Sequence, residues 1–557
     1  MNAPITVFRA RRIITMNPSN PEGTHVAVRE GKVLGVGTYE EVAGWGHHVV
    51  DETFVDHVLT PGMIEVHAHQ FEGVTGMLPY QGYFDRPAPD GRVLPGVQSI
   101  EALLDDLRRL DAEMDDPDEP LVTLGFDPIH LRGARIDRTH LDQVSTTRPI
   151  LLFHASLHLA TANSAMLARH DITASTPGIG VMKGADGEPT GELHEMPAMA
   201  LAQSALAKLV GALGSEQSIW NLGRMARQVG VTCVGDLASA VVTRPATVNT
   251  WQRIVNDPTF PARVTLYATP GPLATAVDFS AAAEALQRLQ DEESSDKLRF
   301  PGVKFVLDGS IQGWTAQMRW PGYYTGEDHG QLLTVPEQFV DWARPFHERG
   351  INMHIHCNGE ATIGLAIDTV DRLLREVAWL DHRHTIEHSQ LTTTADFRRM
   401  KALGMCANIF VNHIWYWGDA HYEQTVGPER AHRMEPCGTA QRIGVPFSLH
   451  SDASVTPLGP LHLMWCAVNR LTPSGRVLGE HEKISAADAL RAVTIDAAYQ
   501  MHLDDELGSI EIGKWADFTV LEESPLDVDP LHIKDIGVWG TVVGGVPHPA
   551  EASAATT

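Results

Sequence analysis

The segment Pro61-Gly62-Met63-Ile64-Glu65-Val66-His67-Ala68-His69 sets two histidines two residues apart behind a Pro-Gly turn. Side chains alternate faces along a strand, so His67 and His69 point the same way. Two neutral imidazoles at one strand end can hold a divalent metal. Such a pair is often incidental when it stands alone, but four later segments add to it. GVKFVLDG carries Lys304 within an apolar run, between Val303 and Phe305. A charged amine is expensive to bury there. Either Lys304 lies at an edge and reaches water, or its pKa is depressed. A neutral amine can take up carbon dioxide as a carbamate, an anionic ligand with two oxygens able to bridge two metals. INMHIHCNGE places Asn352, His354 and His356 on one face, with His356 nearest the strand end. RHTIEHSQ does the same for His384, Ile386 and His388, and VPFSLHSDAS for Ser448, His450 and Asp452. Each histidine taken singly reads as a satisfied core residue. Together, His67, His69, Lys304, His356, His388 and Asp452 make an inventory suited to two adjacent divalent metals.

A further stretch, FVNHIWYWGDAH, sets His413 on the same strand face as Ile409 and Val411, where it can hydrogen-bond a developing oxyanion. Trp415 and Trp417 follow in what reads as a loop at the same end. They are either a wall for an aromatic or alkyl substrate group or ordinary loop packing.

These residues need a scaffold that brings several strand ends together. The middle of the chain alternates strand-like runs (MIEVHAH, PILLFHAS, VTCVGDL, RVTLYAT, GVKFVLD, INMHIHC, RHTIEHS, GMCANIFVNH and VPFSLHSD) with amphipathic helical stretches such as SIEALLDDLRRLDAEM and FSAAAEALQRLQDE. Repeated βα units over this length predict an α/β fold, a (β/α)8 barrel with its site at the C-terminal strand ends. A doubly wound sheet competes, but neither a G-x-G-x-x-G nor a Walker motif is present. Both ends of the chain read as short strands. The expected organisation is a small β-sandwich from residues 1–60 and 508–548, a barrel over 61–507 and a disordered tail at 549–557. An insertion is expected within 70–230, carrying loop-rich segments at LPYQGYFDRPAPDGRVLPG and TPGIGVMKGADGEPTG.

Composition narrows the partners. The 557 residues are 43% hydrophobic and 20% charged, enough to bury a large core. The net charge of −27 argues against nucleic acid and anionic membrane surfaces. No apolar run approaches the ~18–20 residues of a membrane helix, and the N-terminus lacks the pattern of a secretion signal. The five cysteines are widely spaced without a C-x-x-C, which fits a reducing cytoplasm and excludes a thiolate zinc site.

Taken in order, the motifs resemble those of the amidohydrolase superfamily of metal-dependent hydrolases. The closer resemblance is to its family-3 branch, the YtcJ-like and N-substituted formamide deformylase-like group. PGMIEVHAH is similar to the first metal strand of that branch, GVKFVLDGSIQGWTAQ to its bridging-lysine strand, and HCNGEA, RHTIEHSQ and LHSDAS to its remaining ligand strands. RPILLFHASLHLATANSAML, GADGEPTGELHE, HIWYWGDAH followed by GPERA, and the closing GSIEIGKWADFTVLE resemble further segments. The resemblance implies two divalent ions, zinc by default. His67 and His69 would hold the first, carboxylated Lys304 would bridge, His356 and His388 would hold the second, and Asp452 would bind the first and move protons. It also points to His158, Asn163, Glu195 and Trp314 as pocket residues beside Trp415 and Trp417. Glu65 and Glu360 depart from the aspartates common in the branch, and Trp314 replaces a smaller or basic residue. The implied reaction is hydrolysis of an amide-type C–N bond in an N-substituted, apolar small molecule, by a cytoplasmic enzyme for which a homodimer is a family-level expectation. The alternatives are a one-metal deaminase or non-oxidative decarboxylase and, remotely, an inactive scaffold, which would be expected to have lost ligands.

Overall fold

The computed structural model describes residues 4–131, 136–177, 180–270, 277–326 and 329–550. Eight strands pair side by side in parallel: β1 (Met63–Ala68), β2 (Val231–Ser239), β3 (Arg263–Ala268), β4 (Gly302–Val306), β5 (Asn352–Cys357), β6 (Thr385–His388), β7 (Cys406–Ile409) and β8 (Phe447–Leu449). Parallel strands carry nearly continuous apolar runs because both faces are covered. The outer face packs on helices: Phe305 of β4 meets Phe339 and Phe346 of the helix Pro336–His347 edge to face, with ring centroids 5.4 and 5.6 Å away. The inner face holds the polar residues, among them Lys304, His354 and His356, and all three are buried.

The barrel closes differently at its seam. Among the described residues, β8 and β1 share no strand ladder, only a bridge between Ala68 and Ala453. A carboxylate takes over: Ser451 donates its hydroxyl to Glu65 at 2.6 Å and its backbone N–H at 3.2 Å, and the His67 N–H donates to the same group at 3.1 Å. Burial pushes the Glu65 carboxyl up to about 8, against these three donors.

The chain ends meet in one sheet. Ile5–Ile14, Glu22–Arg29, Lys32–Gly37 and His48–Pro61 pair with Phe518–Leu521, Val538–Val543 and Val546–Pro549 along a single hydrogen-bonded path of seven strands. Gly544 and Gly545, both at positive φ, form the two-residue turn of the last hairpin. This sheet is locked to the barrel by Arg263 of β3, which grips the Asp517 carboxylate with two bonds at 2.6 and 3.0 Å. Pro549, expected in the tail at 549–557, ends the last strand instead; residues 551–557 of that expectation lie outside the described residues.

Between β1 and β2 stands a five-stranded sheet with helices on both faces. Ile150–His154, one of the strand runs read from sequence, belongs here rather than to the barrel. Alternation divides its residues cleanly: Leu151 and Phe153 enter one apolar cluster, Ile150 and Leu152 the other. The two segments read as loops contain short hairpins, Arg86–Pro87 with Val93–Leu94 and Val181–Lys183 with Pro189–His194.

Candidate metal centre

Six side chains converge where the barrel strands end. On β1, His67 Nε2 lies 3.0 Å from Lys304 Nζ and 3.3 Å from Asp452 Oδ1, while His69 Nε2 lies 2.9 Å from the same Asp452 oxygen. On the opposite side, His388 Nε2 and His356 Nδ1 are 2.8 Å apart, and His388 Nδ1 is 3.7 Å from Asp452 Oδ2. Asp452 therefore touches both halves. The remaining nitrogen of His67, Nδ1, bonds the Glu387 carboxylate at 2.5 Å. Glu387 also accepts from His354 at 2.5 Å and from the Asn408 amide at 2.9 Å.

The backbone bends to aim these groups. His388 at the end of β6 has φ +67°, and Asp452, past the end of β8, has φ +51°. Left-handed residues other than glycine carry strain of order 1–3 kcal/mol and gather at functional sites.

The donor set suits a divalent cation. Buried ring nitrogens normally have partners. Here His69 Nδ1 and His388 Nδ1 have no hydrogen bond, and neither nitrogen of the fully buried His450 has one. Ligand atoms of His67, His69 and Asp452 lie within 4.8 Å of one another, and so do those of His67, His388 and His450. Burial keeps His67, His356 and His388 well below the ordinary histidine value and brings His450 to about 4, so all four are neutral, as ligation requires. Burial also lowers the Lys304 amine. His69 behaves differently: burial pulls it down, but Asp236 and Asp452 outweigh this and lift it to about 9. Burial would raise Asp452, yet the hydrogen bond and charge of His69, with His450 and Lys304 beside it, hold it below the usual carboxylate range.

The residues around this centre divide into those that face it and those that do not. His158 Nδ1 bonds the Glu195 carboxylate at 2.7 Å, and the His158 ring stands 5.3 Å from that of His356. Glu195 has φ +63° and presses on Gly309, where a Cβ would come within 2.6 Å of its Oε1. Beside this pair is a cavity of about 300 Å³ between the insertion and the barrel, lined by Ile129, His154, Leu159, Gln312 and Trp314 among others. Trp417 stands behind the cavity and donates its indole N–H to Asp127, a lining residue, at 2.6 Å. Three expectations are corrected. Asn163 does not reach the site: it caps the helix Ser164–Arg169 through Met166 N–H and donates to the Ser145 and Arg148 carbonyls. Trp415 turns away, packing edge-on against Trp465 and under the Lys534 ammonium. His413 is not on a strand. β7 stops at Ile409, and His413 opens the helix His413–Ala420, because Phe410, His413 and Trp417 recur at helical spacing and stack on one side. The Nδ1 of His413 bonds Glu435 at 2.7 Å.

The pattern of an amidohydrolase family matches residues 56–548. The chain belongs to that family. It is 27% identical to an N-substituted formamide deformylase of Arthrobacter pascens over 96% of both chains. It is 23% identical to the putative amidohydrolase YtcJ of Bacillus subtilis, over 96% of this chain and 97% of the other. Among solved structures, an uncharacterised metal-dependent hydrolase from Pyrococcus horikoshii shares the fold with a TM-score of 0.70 at 20% identity, covering 95% of this chain and 99% of that one.

In this amidohydrolase several site residues escape the sequence reading. Strict alternation puts His384, Ile386 and His388 on one face and Glu387 on the other. In the barrel Glu387 points inward to His67 and His354, while His384 lies outside against His347. His388 reaches the centre only because its left-handed φ turns it back from the alternating direction. Asp308 also went unread. It takes N–H bonds from Gln317, Asn358 and Gly359 and lies 3.5 Å from His356 Nε2. The two glutamate departures are structural. Glu65 closes the seam, and Glu360 pairs with Arg430 at 3.0 Å. No helix among the described residues is long and apolar enough to cross a membrane.

Proposed function

We propose that this amidohydrolase cleaves an amide-type C–N bond in an N-substituted, apolar small molecule, such as an N-substituted formamide or an N-acyl amine. The reading rests chiefly on the convergence of His67, His69, Lys304, His356, His388 and Asp452 at one end of the barrel, around ring nitrogens that lack protein partners. The relative that acts on N-substituted formamides supports the substrate class, as does the cavity wall of Ile129, Leu159 and Trp314.

Two divalent ions would suit the donors: His67, His69 and Asp452 would hold one and His356 and His388 the other, and a carboxylated Lys304 would serve as a further ligand. When bound, such ions make water acidic enough to ionise near neutral pH and polarise a carbonyl. The protein supplies the rest. Asp452, held ionised beside His69, takes a proton from the attacking water. The water oxygen bonds the carbonyl carbon, the C–N bond breaks, and Asp452 returns the proton to the departing nitrogen, giving a carboxylic acid and an amine. His158, oriented by Glu195, would hydrogen-bond the acyl oxygen. His413 has Nδ1 committed to Glu435, so a bond to substrate goes through Nε2. Trp314 and the apolar wall receive the N-substituent.

Elemental mass spectrometry on protein purified without chelator tests the centre. About two ions per chain, falling to about one in Lys304→Met, is the expected result. One ion in both proteins overturns the bridging lysine and moves deaminase or decarboxylase substrates to the front.

A further inference from the structure

We propose that His450 is itself a metal ligand, a nitrogen donor beyond the six residues that the family resemblance implies. The inference rests on the metal-centre reading above. His450 follows β8 and projects into the barrel, fully buried. Its ring lies against three others: stacked on His67 at 4.6 Å, 5.1 Å from His388 and 4.8 Å from Phe410. Neither of its nitrogens has a hydrogen-bond partner. An imidazole that merely filled this space would be a poor choice, because each buried unpaired polar atom costs about 1–3 kcal/mol that a phenyl or isobutyl group avoids. A buried polar atom without a partner calls for water or an ion.

The neighbours favour an ion. Ligand atoms of His450, His67 and His388 lie within 4.8 Å of one another, and His67 belongs equally to the group formed with His69 and Asp452. His67 thus joins two overlapping sets of three, and His450 completes the set that lacks a carboxylate. His67 is fixed from behind by Glu387, which leaves Nε2 as the nitrogen facing both sets. His450 needs no such prop: with both nitrogens free of protein partners, either can turn to the ion. A fifth imidazole would raise the nitrogen content of the centre and select zinc, cobalt or nickel over magnesium or calcium.

The test uses the full-length chain stripped of metal and titrated with Zn(II) against a chromophoric chelator, and with Co(II) followed by visible absorption. His450→Phe and His450→Ala are compared with wild type, and circular dichroism checks folding. The expected result is a loss of about 10–100-fold in affinity for one ion, with an altered Co(II) band, in the variant that folds. If wild type binds metal and a folded variant matches it in affinity and spectrum, the inference falls while the metal centre stands. If wild type binds no metal, the metal-centre reading itself fails. Should both variants unfold, anomalous diffraction from zinc-loaded wild type decides: a His450 nitrogen at about 2.0–2.1 Å from an ion supports ligation, and one beyond about 3 Å overturns it.

Discussion

This barrel carries a histidine cluster at each end, and the two differ in one respect that matters. At the N-terminal end His347, His382 and His384 lie close together, and all six of their ring nitrogens are engaged. His347 bonds His384 at 2.9 Å and the Val377 carbonyl at 2.8 Å. His382 bonds the Leu403 carbonyl at 2.7 Å and accepts the His384 N–H at 2.9 Å. His384 accepts the Met353 N–H at 3.1 Å. At the C-terminal end His69 and His388 each keep an unpartnered nitrogen, and His450 keeps two. Both clusters are buried, and composition cannot tell them apart. The partner count can: the first cluster is saturated by protein groups and the second is not.

The largest effect that would sharpen this contrast is in turnover. Asp452→Asn should lower kcat on a panel of N-substituted formamides and N-acyl amines by ~10²–10⁴-fold while leaving much of the metal in place. Near-normal turnover would end its proton-transfer role. Next comes ligand support. Glu387→Gln should weaken metal binding by about 10–100-fold, since it props His67, whereas His384→Gln at the other end should leave metal affinity unchanged. Equal losses in the two would break the distinction. A smaller effect should appear in stability. His347→Phe leaves the Val377 carbonyl and His384 Nε2 without a partner, so the fold should weaken by about 1–3 kcal/mol in chemical denaturation with kcat intact. The smallest is a pH slope. Burial, reinforced by the neighbouring histidines, holds His384 well below its ordinary 6.5. The unfolded chain therefore takes up a proton below that pH and the folded one does not. Stability is complete above about 6.5 and declines as pH falls, at no more than about 1.4 kcal/mol per unit for this one group. Thermal melts of the metal-free protein between pH 7.5 and 5 should show the decline, and His384→Gln should flatten it.

How far the sequence carried this reading depended on the kind of signal. Apolar strand runs that carry a histidine or a lysine are local, and they located β1, β4, β5, β6 and β8 with their candidate ligands. The run Ile150–His154 looked the same and went to another sheet, because pairing partners are not a local property. Glu387 went unread for a physical reason: period-two alternation fails where His388 takes a left-handed φ. The aromatic stretch after β7 resembled a loop, although Phe410, His413 and Trp417 already had helical spacing. Asn163 looked polar and available, but it was satisfying a helix start. What stayed hidden was which nitrogens lack partners, since that depends on every neighbour at once.

The seam at Glu65 ties the order of synthesis to the appearance of activity. His67 and His69 leave the ribosome early, yet the Glu65 carboxyl group that closes the seam beside them has its partner, Ser451, made almost four hundred residues later. Until then the first strand has neither its closing neighbour nor the Phe518–Leu521 strand that pairs with the chain leading into it. A nascent chain can therefore hold its first two imidazoles side by side without possessing a hydrolytic centre. A chain cut short before Asp452 would lack both the seam contact and the carboxylate proposed for the centre, and no hydrolysis is expected of it.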